Sequence, residues 1–178
     1  DLTESIRLDP KAARGFSNRG NVYAATGQLD KAIDDYTDAL RLDPNLQMTY
    51  SNRGNAFDLL GQHKKAIADF DHAIQLDGQD SEAWRYKAWI LATSPDGSIR
   101  DGKTAIECAK KAYDLTRGGD PLCIEALAAA YAEVNDFPAA VKWQEQAVSS
   151  GSPDREGAAE RLALYQASRP YRSSPAKP

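Results

Sequence analysis

The chain is poor in the residues that carry metal and redox chemistry: it has two histidines, two cysteines and one methionine among 178 residues. His63 and His72 lie nine positions apart with neither cysteine near them in sequence, a spacing that matches no recognised ligand pattern. His63 stands where an earlier repeat has Leu29 and is expected to pack; His72 is expected on an outer helix face. Cys108 and Cys123 are too few for a disulfide framework. A single bridge stays open, and two free buried thiols are the expectation, since free cysteine packs readily as a small hydrophobe. No stretch approaches the roughly 18 apolar residues that a membrane helix needs. An excess of positive charge is also missing, with 22 Lys and Arg against 26 Asp and Glu and a net charge of −4. That balance argues against non-specific nucleic-acid binding, which requires a basic surface to release counterions. No strand is expected, so there is no place for a glycine-rich phosphate loop after one. The acidic residues are scattered, as on solvated helical faces. We therefore expect no catalytic residues, no cofactor and no metal, and read the chain as a non-enzyme. It opens on Asp1, without an initiator Met, signal peptide or targeting segment. Because this opening falls inside a repeat, a truncated N-terminus is expected, and a cytoplasmic setting is favoured over an exported one.

Self-similarity is what the chain does have. Shifted by 34 residues, Ala13–Leu46 falls on Gln47–Asp80 with fourteen identities. Ser17, Asn18, Arg19, Gly20 and Asn21 meet Ser51, Asn52, Arg53, Gly54 and Asn55. Gly27 and Gln28 meet Gly61 and Gln62, and Lys31, Ala32 and Ile33 meet Lys65, Ala66 and Ile67. The opening 1–10 matches 35–44 at six of ten positions and ends in the same Arg-Leu-Asp-Pro.

With these residues the chain resembles the tetratricopeptide-repeat (TPR) family. Repeat one supplies that family's signature positions as Phe16, Gly20, Tyr23, Ala32, Ala39 and Pro44; repeat two has Tyr50, Gly54, Phe57, Ala66 and Ala73, with Gly78 in place of the proline. Small residues let two antiparallel helices approach, and the aromatics fill the space between hairpins. Two looser repeats follow. Trp84 and Ala88 mark the third, whose turn Thr93–Asp101 carries a five-residue insertion dense in helix breakers. Ile124, Ala128, Tyr131, Ala140 and Ala147 mark the fourth.

The resemblance implies an all-α, right-handed solenoid of antiparallel helical hairpins with a C-terminal capping helix. The expected layout is a lone second helix over 1–10, repeats over 11–46, 47–80, 81–118 and 119–151, a cap helix over 152–168 and a flexible tail over 169–178. Ser152 followed by Pro153 reads as an N-cap with proline at the first helical position, and Ala158, Leu162 and Tyr165 as the buried stripe. The alanine-rich last repeat, followed by a helix ending in Pro-Tyr-Arg, resembles bacterial members and suggests a bacterial source. Leu2 and Ile6, on the uncapped first helix, leave an apolar edge open.

In the family the first helix of each hairpin lines a concave groove. Carried over by position, the groove residues are Arg14, Ser17, Asn18, Asn21, Met48, Ser51, Asn52, Asn55, Asp58, Arg85, Tyr86 and Trp89, with Glu82 beside them. Asn18 and Asn52, one repeat apart, offer paired donors and acceptors to the backbone of an extended ligand, or else space the helices. Tyr86 and Trp89 suit an interface or plain packing, while Trp84 is expected in the core. Arg19 and Arg53, at a position usually apolar in the family, are expected to pair with nearby Asp. The five-residue clamp with which TPR co-chaperones hold a C-terminal carboxylate is not matched: Asn21 and Asn52 fit, but Ser17, Glu82 and Tyr86 stand where cations are needed. The expectation is a protein-protein interaction scaffold that takes an extended peptide or partner helix in the groove, with no nucleic acid, membrane or chaperone-tail partner. The alternative is a structural spacer that forms homo-oligomers through the N-terminal edge.

Overall fold

The computed structural model describes residues 12–173. The expected helix over 1–10, the open edge at Leu2 and Ile6 with the self-association read from it, and the last five tail residues lie outside the described residues. The described residues divide after Gly78 into two compact units.

In the first unit, α1 (Ala13–Ala25) and α2 (Leu29–Leu42) form one hairpin, and α3 (Gln47–Leu59) and α4 (His63–Leu76) form the next. Each hairpin turns through a glycine in the left-handed region, Gly27 at φ 74° and Gly61 at φ 70°, where a side chain would be strained. The signature glycines do different work. A Cβ on Gly20 would stand 2.6 Å from Tyr36 Cε1, and one on Gly54 would stand 2.9 Å from Phe70 Cε1. Both rings are buried, so neither can yield. We expect Gly54→Ala to lose about 1–2 kcal/mol, because overpacking outweighs the gain of about 1 kcal/mol in helix propensity. Urea unfolding checks this, and in a Phe70→Leu background the same change should be near neutral.

In the second unit, α5 (Ser81–Thr93) pairs with α6 (Gly102–Leu115), α7 (Pro121–Glu133) pairs with α8 (Phe137–Ser149), and α9 (Arg155–Gln166) packs on α8. Its helices start on aspartate caps. Asp80, Asp101, Asp120, Asp136 and Asp154 each accept a backbone N–H of the first turn, whereas the four helices of the first unit have no side-chain cap. Small residues again line the close helix approach: Ala88 and Ala109 share one buried cluster with Cys108, Ala126 and Leu127, packed on by Trp84. Both cysteines are buried and outside any disulfide, and Trp84 is half-buried against the core, as expected. The inserted loop between α5 and α6 is held in place. Arg100 donates to the Ser94 carbonyl at 2.8 Å, and the Asp101 N–H donates to Leu91 O at 3.0 Å.

Two expectations for the C-terminal region are corrected. Asp154, not Ser152, caps the last helix by accepting from the Gly157 N–H. Ser152 is buried and donates instead to Glu125 Oε1 at 2.6 Å, a carboxylate whose position local sequence does not show. The buried stripe of α9 accordingly runs Ala158, Arg161, Tyr165, with Leu162 only half-buried. The second correction concerns the tail. Residues 169–173 are non-helical, but they are fastened to α5 and α7 rather than loose. Ser173 N–H donates to Thr93 O at 2.9 Å, and Arg172 meets Glu133 at 2.6 Å.

Candidate functional site

In the first unit, residues of α1 and the start of α3 surround an open hollow of ≈570 Å³. Arg14, Ser17, Asn18, Asn21, Met48 and Asn52, all expected in the groove, line it together. Helical periodicity accounts for the α1 set: positions 14, 17, 18 and 21 follow the i, i+3, i+4, i+7 pattern that puts side chains on one face. Asn45, Leu46, Gln47 and Thr49 complete the wall. The positional rule did not reach these four, which belong to the connection before α3 and to its first turn. Thr49 is buried and tied to Ser17, with the two hydroxyl oxygens 2.8 Å apart.

Asn21 connects this surface to the core. Its carbonyl oxygen accepts from the Tyr36 hydroxyl at 2.8 Å and from Asn52 Nδ2 at 2.9 Å. Burial, with Asp35 adding to it, pushes the Tyr36 hydroxyl up to about 12, so it remains a donor across the physiological range. Asn21 and Asn52 therefore interlock, which is the spacing role, while the Asn21 amide group and the Asn52 carbonyl oxygen are the ends left for other partners. Asn18 is exposed in the same hollow, and Met48 is 73% exposed at its rim. Arg14 is the one charged residue among those lining it.

A second hollow of ≈300 Å³ continues from Asn21 and Asn52 to Asn55, with Ala24, Leu29 and Leu59 on its apolar side. Asp58 lines neither hollow. Burial raises its pKa, His63 opposes that rise, and His63 Nε2 lies 3.6 Å from its carboxylate. Ser51 lines neither hollow and sits within 3.4 Å of the Gln47 amide. Arg19 and Arg53 pair with Asp as expected. Arg19 grips Asp35 by two bonds of 2.7 Å, and Arg53 grips Asp69 by two of 2.8 Å. His72 is exposed, its ring 5.2 Å from that of Tyr50.

The three groove residues from the third repeat lie in the second unit, and all three are half-buried. The Arg85 guanidinium stacks on Tyr86 at 4.0 Å. Trp89 faces Tyr171, with ring centroids 5.8 Å apart, and carries the Arg161 guanidinium at 5.6 Å. Beneath them Arg161 pairs with Glu125 at 2.7 Å, both side chains almost fully buried. The groove rule, extended to the fourth repeat, selects Glu125 and Glu133; stopping at the third repeat missed them.

Among the described residues no group of three or more His, Cys, Asp or Glu is placed to hold a metal ion. No helix among them is long and apolar enough to cross a membrane. A family model described as tetratricopeptide repeat matches residues 13–46 and 48–80. No curated protein matches the chain in sequence. Among solved structures the fold is similar to that of MamA, at 20% identity over 84% of each chain and a TM-score of 0.73. It is similar also to MamA from Desulfovibrio magneticus RS-1, at 18% identity over 88% of this chain and 84% of that one, TM-score 0.74. YrrB, described as a TPR protein with an unusual peptide-binding site, is 18% identical over 93% of this chain and 82% of its own, TM-score 0.74. At these identities the likeness is one of fold, and the fold class is that of the all-α TPR solenoids.

Proposed function

In residues 13–46 and 48–80 the chain belongs to the tetratricopeptide-repeat family, and from that premise we propose that it is an interaction scaffold holding an extended peptide in the α1–α3 hollow. Repeats of this family serve in general as non-enzymatic protein-interaction modules. The observation that carries the reading here is the convergence of Arg14, Asn18, Asn21, Asn52 and Met48 on one open concave surface. Carboxamides there can donate to and accept from successive peptide units, Met48 offers a pliable apolar contact, and Arg14 favours an acidic or carbonyl-rich segment. The peptide-binding site named for YrrB supports this reading by analogy of fold.

A peptide-library screen on the isolated chain tests it. For a peptide so selected, Asn18→Ala with Asn52→Ala should weaken binding by about 5–150-fold, two net hydrogen bonds of about 0.5–1.5 kcal/mol each. Asn18→Ala alone leaves the Asn21–Asn52 link intact and should account for roughly half of that loss in free energy. Unchanged affinity in the double variant, with the helical signal preserved, would sink the proposal.

A further inference from the structure

The α5–α7 face of the second unit already holds a non-helical segment, and that segment belongs to the chain itself. After α9, Ser168 takes φ 54° and the backbone reverses, with Arg169 N–H donating to Leu164 O at 2.9 Å. The chain then runs back across α7 to the end of α5. Tyr171 packs on the cluster of Ala128, Ala132, Ala140 and Tyr165, and its ring faces Trp89 at 5.8 Å. Arg161 places its guanidinium 5.6 Å from the Trp89 ring and 5.7 Å from the Tyr171 ring, so one buried cation serves both aromatics. Arg172 then reaches Glu133 Oε2 at 2.6 Å and approaches the Ala92 carbonyl at 3.4 Å. Ser173 closes the contact on the Thr93 carbonyl with both its N–H and its hydroxyl.

The receiving surface suits this sequence for stated reasons. Trp89, Ala128 and Ala132 make an apolar seat for the Tyr171 ring. Glu133 and the last carbonyls of α5, at the negative end of that helix, make an acceptor site for the cation one residue on. The segment sits on Trp89, a residue expected to face the ligand groove, and it is non-helical there. The segment is only half-buried, with the Arg172 side chain 32% exposed.

We propose that this face is a docking site for an extended peptide carrying an aromatic residue followed directly by arginine, and that residues 170–173 occupy it in cis as a displaceable stand-in. This stands apart from the α1–α3 hollow and does not rest on it. A tethered segment acts at an effective concentration in the millimolar range, so a free peptide must outcompete it.

The experiment uses the full chain and a fluorescein-labelled peptide of residues 168–174. Tyr171→Ala with Arg172→Ala in the protein should empty the seat and raise affinity for the peptide by at least about tenfold over the unmodified chain. Adding Glu133→Gln or Trp89→Ala to that variant should remove the gain, and a peptide with alanine at both key positions should not bind. A folded double variant that binds no better than the unmodified chain overturns the proposal, as does binding indifferent to Glu133 and Trp89. Should the double variant fail to fold, the unmodified chain gives a second reading. Millimolar peptide should speed hydrogen exchange at the Ser173 amide by displacing it from Thr93, and unchanged exchange would overturn the idea equally.

Discussion

Replacing Glu125 by alanine should destabilise the 178-residue chain by about 3–5 kcal/mol, lowering the melting temperature by roughly 6–20 °C. The Glu125 and Arg161 side chains are 4% and 6% exposed, and their 2.7 Å contact joins α7 to α9. Removing the carboxylate leaves a buried guanidinium. Its other carboxylate is Asp154, at 3.2 Å and 59% exposed, where water screens the charge. Ser152 loses its acceptor in the same step. A charge stranded in low dielectric costs far more than the pair contributes when intact. The paired change Glu125→Leu with Arg161→Met should recover most of the loss. Urea unfolding followed by circular dichroism reads both, and a single variant within about 1 kcal/mol of the parent would show that the pair is more hydrated than its burial implies.

The second large effect lies in the other unit. Arg53→Ala should cost about 3 kcal/mol by leaving the Asp69 carboxylate, 5% exposed, without its bidentate partner. Arg53 also donates to Thr37 Oγ1 at 3.0 Å, a contact between neighbouring hairpins that is lost too. Sixteen residues separate Arg53 from Asp69, and the same register in the fourth hairpin holds Leu127 and Trp143, which pack into one apolar cluster. An apolar pair is therefore an accepted solution at this place in the fold. Arg53→Leu combined with Asp69→Leu should fall within about 1 kcal/mol of the parent, so the double variant is more stable than Arg53→Ala. Strict additivity of the two single changes would count against this account.

What the sequence made legible follows from distance along the chain. The Arg19–Asp35 and Arg53–Asp69 pairs, the close approach at Gly20 and Gly54, and the α1 face of the hollow all sit within one 34-residue period. A repeated spacing exposes such contacts because every copy states them again. The tail was misread for the opposite reason. Proline and serine near a terminus resemble a loose end by composition, whereas Tyr171 on Trp89 and Ser173 on Thr93 are contacts across about 80 residues that no period announces. Ser152 was taken for a cap because serine before proline has that local meaning; its actual partner, Glu125, lies 27 residues back. Asp58 occupied a groove position by count and turned to His63, since a partly buried carboxylate takes the nearest imidazole.

The hairpins of the first unit each contain their own turn glycine, their own glycine–ring contact and their own arginine–aspartate pair. Everything that closes a hairpin is encoded inside a single copy of the period. A tandem duplication of Ala13–Leu46 would thus deliver a complete building block, needing only that its outer face match its neighbour's. Growth by copying is open to this half of the protein, whereas in the other half α9 and residues 171–173 grip residues far upstream, through contacts that no single period contains.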